Sequence, residues 1–158
     1  VELALEPLGL LIDDCASLLE SRCQQRGIAL IVDHDPEMPP VPIDGNLIHQ
    51  ALMNLLSNAV RYGHPPCRIR IEINEEAGQL QLSVADNGPG IPAEHLPHLT
   101  ERFYRVDAGR SREIGGTGLG LAIVKHVVQR HGGFLHIDSE PGNGSTFRAC
   151  FPAYRLLS

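Results

Sequence analysis

The sequence predicts an α+β fold: a mixed, mostly antiparallel sheet of about five strands, with about three helices on one face. Two observations lead to this prediction. Apolar residues recur at helical spacing in three segments, and they alternate with polar residues at period two in segments joined by turns. Helices interleaved along the chain with antiparallel hairpins are typical of a two-layer sandwich. The 158 residues suit one domain, so we assign 1–158 to a single unit.

Three segments have the spacing of amphipathic helices. The first covers residues 10–26 and ends at Gly27. The second covers residues 44–62, and its apolar face contains Leu47, Ile48, Ala51, Leu52, Leu55, Leu56 and Ala59. The third covers residues 118–129 and stops at the glycine pair 132–133.

The strands are predicted from short alternating or β-branched runs bounded by turn residues. They are expected at 1–8, 28–32, 68–74, 79–85, 134–138 and 145–151. Turns at 75–78 and 141–144 make two hairpins. Residues 34–42 hold four prolines and are expected to be a connector without regular structure.

A long segment rich in glycine, proline and charge, residues 86–116, calls for a functional explanation because compact domains seldom contain such loops. Glycine motifs at 86–91 and 115–121 flank it, and the second leads directly into a helix. Free amides at a helix N-terminus favour an anion. The segment also contains Arg102, Arg105, Arg110 and Arg112. We therefore expect a phosphate site under a lid of about residues 92–116, with isolated turns and a solvated basic face as the alternative.

Two asparagines lie inside the most apolar helix. Asn54 and Asn58 are four residues apart and share a face, which Arg61 and Tyr62 extend by one turn. Asparagine is a mediocre helix former, so two of them in this helix indicate a function, with two ordinary polar positions on the exposed side of the helix as the alternative. Amide oxygens are suitable ligands for Mg²⁺ that bridges nucleotide phosphates.

The composition excludes several classes of protein. Hydrophobic residues make up 42% and charged residues 20%, which argues against a disordered chain. A net charge of −6 argues against a protein that coats nucleic acid. No apolar run approaches the roughly 20 residues of a membrane-spanning helix, so we expect no membrane contact. The four scattered cysteines favour a reducing compartment, and Val1 in the place of an initiator Met suggests a piece of a longer protein.

Five motifs in order resemble those of the catalytic, ATP-binding domain of bacterial sensor histidine kinases. The superfamily to which that kinase domain belongs also includes DNA gyrase, mismatch-repair ATPases and an ATP-driven chaperone. The motifs are the N box at 54–59, the glycine box at 86–91, the F box at 102–105, the second glycine box at 116–121 and the last glycine segment at 142–147. The resemblance covers essentially the whole chain and implies a Bergerat-type fold that binds ATP and Mg²⁺.

The resemblance implies an adenine-binding end of the site. Asp86 is similar to the aspartate whose carboxylate accepts the exocyclic amine of adenine, so ATP should be preferred over GTP. Gly88 and Gly90 would let the backbone pass close to the base, and Ile91 completes their motif. Thr146 would support Asp86 through a hydroxyl and a bridging water.

The resemblance also implies a phosphate-binding end. Asn58 resembles the family's Mg²⁺-coordinating asparagine, and Asn54 stands where ATPase relatives carry a glutamate that activates water. Arg61 would contact the phosphates and Tyr62 would flank the adenine. Arg105, together with Arg110 or Arg112, would neutralise the transferred group. Asn54, Arg61 and Arg105 are thus the expected catalytic residues. The remaining phosphate contacts are expected from Gly116, Thr117, Gly118, Leu119 and Gly120.

The implied activity is that of an ATP-dependent protein-histidine kinase in two-component signalling. None of the eight histidines has the neighbours of the family's phosphoacceptor box, so the acceptor is expected in a dimerisation domain upstream of this chain. The other expected partner is a response-regulator receiver domain, and the full-length protein is expected to be a homodimer whose cytoplasmic part includes this domain. Two alternatives stay open: a conformationally coupled ATPase of the same superfamily, and a nucleotide-binding regulatory module without catalysis.

Overall fold

A computed structural model describes residues 2–62, 67–76, 79–102 and 120–152 of the chain. In chain order the elements are β1 (Ala4–Glu6), α1 (Leu8–Gln25), β2 (Ile28–Asp33), β3 (Val41–Ile43), α2 (Gly45–Tyr62), β4 (Cys67–Glu76), β5 (Gln79–Asp86), a 3-10 helix (Ala93–His98), α3 (Gly120–Arg130), β6 (Phe134–Ser139) and β7 (Ser145–Pro152).

Five strands form the main sheet in the order β2-β4-β5-β7-β6. The β2–β4 pair is parallel, and the other three pairs are antiparallel. The predicted α+β fold with a mixed, mostly antiparallel sheet is therefore confirmed. At one end of the sheet Asp86 pairs with Ser145, which also pairs with Ser139, so three polar residues lie in a row across β5, β7 and β6.

The hydrophobic core lies between one face of this sheet and the three α-helices. Alternate residues of β5 and β7 point to that face, because a strand has a side-chain period of two. They are Leu80, Leu82, Val84, Phe147, Ala149 and Phe151, and all belong to the same buried cluster as the inner faces of α1, α2 and α3. Burial of each leucine, valine or phenylalanine side chain in this set contributes roughly 1.5–3 kcal/mol.

One prediction about the connector was wrong. Residues 41–43 form strand β3, which pairs antiparallel with β1 in a separate two-stranded sheet. Pro42 lies opposite Leu5 in that pair. Proline is compatible with an edge strand because no ladder hydrogen bond needs its missing N–H. β1 is also shorter than the predicted strand at 1–8.

The start of α2 is anchored to the end of α3. Asp44 caps α2, since its Oδ1 accepts the N–H of Leu47 at 3.2 Å. The N–H of Asp44 is donated to Nε2 of His131 at 3.0 Å, while Nδ1 of the same ring contacts the carbonyl of Val127 at 2.8 Å. The neutral Nδ1–H tautomer satisfies both contacts. This imidazole holds the asparagine-bearing helix against α3.

Within the described ranges, no helix combines the length and the apolar character that crossing a bilayer requires.

Candidate functional site

The polar stripe predicted on α2 is present. Asn54, Asn58 and Arg61 follow one another at spacings of four and three residues and are all half-buried. They border the apolar face of the helix, of which Leu55 and Ala59 are buried members. The stripe therefore lies at the margin of the core, where its side chains are held by packing and still reach a ligand.

The amide of Asn54 has a donor for which the described residues provide no acceptor. Its Nδ2 atom is shielded from solvent, and no hydrogen-bond partner for it exists within the described part of the chain. A buried donor left without an acceptor costs about 1–3 kcal/mol. An oxygen-rich ligand would satisfy this donor, so the amide is a positive indication of a binding site on α2.

The first residue of α3 lies beside Asn54. A Cβ built on Gly120 would be 3.9 Å from the Cβ of Asn54, so the N-terminus of α3 and the middle of α2 are in van der Waals reach. The first turn of a helix carries free N–H groups and a partial positive charge. Gly120, the last glycine of the second glycine motif, thus meets the asparagine helix at a place that suits phosphate.

Asp86 ends β5 on the face that the helices cover, two residues beyond buried Val84. Its Oδ1 accepts the N–H of Gly88 at 2.9 Å. Burial raises the pKa of the Asp86 carboxyl, and backbone hydrogen bonds from Gly88 and Ser145 oppose that rise. A half-buried carboxylate with remaining acceptor capacity on the interior side of the sheet is suited to a ligand that brings a hydrogen-bond donor.

The glycines near Asp86 are required by contact between two loops. Gly90 has φ +76°, and a Cβ there would lie 2.0 Å from the carbonyl oxygen of Glu140. Gly144 has φ +79°, and its Cβ would lie 2.1 Å from the carbonyl oxygen of Asp86. The N–H of Gly142 is donated to the carbonyl of Pro89 at 2.7 Å. Gly90 thus closely approaches the β6–β7 turn, and its expected approach to a base stays a prediction.

Asn87 fastens the same loop to the sheet. Its Oδ1 accepts the N–H of Arg68 at 2.6 Å, and its own N–H is donated to the carbonyl of Arg68 at 3.3 Å. Asn87 thereby extends the β4–β5 ladder by one step, which fixes the backbone just after Asp86.

The register corrects the expected partner of Asp86. Thr146 pairs with Ala85, and opposed residues of an antiparallel pair share a face, so Thr146 and Asp86 lie on opposite faces of the sheet. Ser145 pairs with Asp86 and is 7% exposed. Sequence reasoning missed Ser145, although the alternation with the core residues Phe147, Ala149 and Phe151 would have identified it.

Several predicted site residues are not described by the structure. Arg105, Gly116, Thr117, Gly118 and Leu119 lie outside the described ranges, and of Tyr62 the backbone alone is described. Ile91 is described: it packs against the core, and its N–H is donated to Oγ of Ser139 at 2.8 Å.

The residues present fit a magnesium ion that arrives with a nucleotide. Among the described residues no three His, Cys, Asp or Glu side chains could together hold a metal ion. Asn58 contributes a neutral amide oxygen, which is a hard ligand without a charge. Mg²⁺ commonly keeps waters and takes one or two protein ligands together with substrate phosphates. Such an ion would depend on the phosphates for most of its coordination shell.

Comparison with known proteins gives consistent matches. Residues 43–155 match the family model of histidine kinase-, DNA gyrase B-, and HSP90-like ATPases. The chain is 50% identical over 115 residues to the phosphate regulon sensor protein PhoR of Pseudomonas aeruginosa, a match that covers 72% of the chain and 26% of that protein. The chain thus spans about a quarter of the length of this relative.

Two solved structures are similar over nearly the whole chain. Full-length ShkA in complex with AMPPNP superimposes with a TM-score of 0.85 at 27% identity, covering 96% of this chain and 31% of that one. Histidine kinase ThkA in complex with response regulator protein TrrA superimposes with a TM-score of 0.79 at 25% identity, covering 97% of this chain and 42% of that one.

Proposed function

Because the chain belongs to the histidine kinase-, DNA gyrase B-, and HSP90-like ATPase family, we propose that it binds Mg-ATP and transfers the terminal phosphoryl group to a histidine of a separate phosphoacceptor domain. One observation carries the proposal. Asn54, whose amide nitrogen has no hydrogen-bond partner among the described residues, lies beside the first residue of α3, on the side of the sheet to which Asp86 points.

Asp86 forms the purine-binding end of the proposed site. Its carboxylate accepts a hydrogen bond from the 6-amino group of adenine, whereas a 6-oxo purine would set two acceptors against each other. Hydrogen bonds from the backbone of Gly88 and Ser145 orient the carboxylate before the ligand arrives. Ser145 takes the supporting role that the sequence had suggested for Thr146.

The phosphate end lies between α2 and α3. Asn54 donates to a phosphate oxygen, and the amides of the first turn of α3, starting at Gly120, provide further donors. Asn58 would hold Mg²⁺, which when bound neutralises charge on the phosphates. Arg61, on the same stripe, adds a cation. Its backbone carbonyl accepts a hydrogen bond from Nη2 of Arg26 at 3.3 Å, which satisfies one acceptor at the C-terminal end of α2.

The chemistry requires positioning and charge stabilisation more than covalent participation by the domain. A nitrogen of the acceptor imidazole forms a bond to the terminal phosphorus as the bond from phosphorus to the bridging oxygen breaks, and ADP departs. Asn54 is an amide and cannot remove a proton from water. The site is therefore suited to transfer onto a protein group and poorly suited to hydrolysis.

The partners follow from the same proposal. The relatives are sensor proteins longer than this chain, and ThkA was crystallised with a response regulator. We propose that the full-length protein likewise contains a dimerisation and phosphoacceptor domain and forms a homodimer. We also propose that a receiver domain accepts the phosphoryl group and that the protein acts in the cytoplasm, where ATP is available. We also propose that residues 1–158 belong to the catalytic domain and that residues 92–116, of which 103–116 lie outside the described ranges, serve as its lid.

The test is phosphorylation of the full-length protein that contains this chain, using ATP labelled at the terminal phosphate. We expect label that is lost in acid and kept in alkali, as phosphohistidine is, and that moves to an added receiver domain. The Asn58→Ala variant should bind adenosine but gain little label. Tight binding of ATP without any labelled histidine would contradict the kinase proposal and favour a regulatory module.

A further inference from the structure

A row of three polar side chains crosses the helix-covered face of the sheet. Asp86, Ser145 and Ser139 are direct neighbours in the register of β5, β7 and β6. Directly opposed side chains in an antiparallel pair have Cβ atoms about 4.5–5.5 Å apart. The carboxylate of Asp86 and the hydroxyl of Ser145 therefore present themselves together to a ligand, and Ser139 lies behind Ser145 as seen from Asp86.

The hydroxyl of Ser139 makes three contacts. Its oxygen accepts the N–H of Ile91 at 2.8 Å, it lies 2.9 Å from the carbonyl oxygen of Gly144, and it lies 2.8 Å from Oγ of Ser145. These contacts join three parts of the chain: the loop after Asp86, the β6–β7 turn and the start of β7.

The direction of each hydrogen bond follows from the chemistry of the partners. A hydroxyl has one hydrogen and two acceptor lone pairs. A carbonyl can only accept, so the hydrogen of Ser139 goes to Gly144. The contact between the two hydroxyls is then made by the hydrogen of Ser145, which is donated to Ser139. All three capacities of Ser139 are used, and the hydrogen of Ser145 is turned away from Asp86.

The consequence is a ligand-reading surface made of acceptors alone. The lone pairs of Ser145 remain beside the carboxylate of Asp86, and neither group has a hydrogen to offer. A 6-amino purine has donors that match this surface. A 6-oxo purine would place its carbonyl oxygen against two acceptors, which leaves it without a partner in a desolvated site.

We propose that Ser139 is a positioning residue that sets the preference for a 6-amino over a 6-oxo purine by holding the hydroxyl hydrogen of Ser145. The proposal rests on the proposed function, since it concerns the same nucleotide site. When Ser139 lacks its hydroxyl, the hydrogen of Ser145 is free to rotate toward a 6-oxo group, and discrimination falls.

The experiment measures dissociation constants of Mg-ATP and Mg-ITP by calorimetry. Inosine triphosphate replaces the 6-amino group by a 6-oxo group, with a hydrogen on N1, and leaves the ribose and phosphates unchanged. For Ser139→Ala we expect the ITP-to-ATP ratio of dissociation constants to fall at least about tenfold, the effect of about 1.4 kcal/mol. General weakening of the loop would raise both constants and leave their ratio unchanged.

Three controls separate positioning from packing. Ser139→Thr keeps a hydroxyl at this position and should restore the ratio of the unaltered protein. Ser83→Ala removes a hydroxyl from β5 on the opposite face of the same sheet and should leave the ratio unchanged. In a Ser145→Ala background, Ser139→Ala should have no further effect on the ratio, because no hydroxyl hydrogen remains to be released.

Each outcome has a definite meaning. A ratio within twofold of the original for Ser139→Ala, with ATP still bound, overturns the role of Ser139 and leaves the proposed function intact. If the unaltered protein binds neither nucleotide, the proposed function fails and this inference fails with it. If Ser139→Ala does not fold, Ser145→Ala alone decides, since removal of the acceptor beside Asp86 should also lower the ratio, and an unchanged ratio would contradict the proposal.

Discussion

Replacing Asp86 by asparagine tests the adenine end of the proposed site. The substitution keeps the size of the side chain and one oxygen that can accept the N–H of Gly88. In the original protein the nitrogen of Gly88 lies 2.9 Å from Oδ1 of Asp86. It removes the negative charge that strengthens a hydrogen bond from a 6-amino group. Hydrogen bonds to charged groups are worth about 1.5–3 kcal/mol. We therefore expect the dissociation constant of Mg-ATP to rise about 10- to 150-fold.

The same variant should not lose stability. Burial raises the pKa of Asp86 in the folded protein, so the ionised form is less favourable there than in the unfolded chain. A group with a raised folded pKa contributes stability that is present below its unfolded pKa and is lost as the pH rises through the folded pKa. At neutral pH the carboxylate is thus a cost, and Asp86→Asn should unfold at the same temperature as the original protein or a higher one.

Calorimetric titration with Mg-ATP and thermal unfolding at pH 7 measure the two quantities. Glu20→Gln removes a carboxylate at an exposed position on α1; it is the control and should change neither. An ATP affinity within twofold of the original would refute the role of Asp86 in reading adenine. A clear drop in the unfolding temperature would refute the argument from burial and show that the charge stabilises the loop.

Three further predictions address the metal ligand, the loop contact and an ion pair. Asn58→Ala should abolish the gain in nucleotide affinity that Mg²⁺ gives, while adenosine binds as before; loss of adenosine binding as well would mean that Asn58 holds the fold. Left-handed backbone strain alone costs a residue other than glycine about 1–2 kcal/mol. Gly90→Ala should lower the free energy of unfolding in urea by clearly more than this, because its Cβ would also meet a carbonyl. Gly142→Ala, with φ +85° and open space around its Cβ, should show that strain alone, and equal losses would disprove the contact argument. The side chain of His34 hydrogen bonds to Asp13 at 3.0 Å, and this bond raises the pKa of His34. The stability from that pair is complete below the unfolded pKa of His34 and is lost as pH rises through its raised folded pKa. Urea unfolding between about pH 6 and 9 should show this loss in the original protein, and His34→Gln should be flat by comparison.

The regular elements could be predicted because their signals are local. Residues 44–62 have an uninterrupted apolar stripe, and the structure places α2 within one residue of that range. The hairpin strands follow period-two alternation, which depends only on neighbouring residues. β3 was missed because prolines dominate its surroundings, and its pairing with β1 joins segments nearly 40 residues apart, since Ala4 pairs with Ile43 (43 − 4 = 39).

Part of the candidate site could be predicted because its signal is also local. Asn54 and Asn58 share a helix face by spacing alone. Thr146 was predicted as the partner of Asp86, whereas the structure has Ser145 in that place. In a strand, an error of one residue moves the side chain to the other face of the sheet. Ser139 could not have been found from local pattern, because the atoms that define its role belong to Ile91 and Gly144, which lie 48 residues before it and 5 after it.

The proposed single ATP site is tested most directly by titrating the chain with a fluorescent ATP analogue in the presence of Mg²⁺. The proposal predicts one saturable site per chain, from which ATP displaces the analogue and GTP does so poorly. It also predicts that the double variant Asp86→Asn, Asn58→Ala loses this saturable uptake. Absence of saturable uptake by the unaltered chain, or uptake that survives both substitutions, would contradict the proposal.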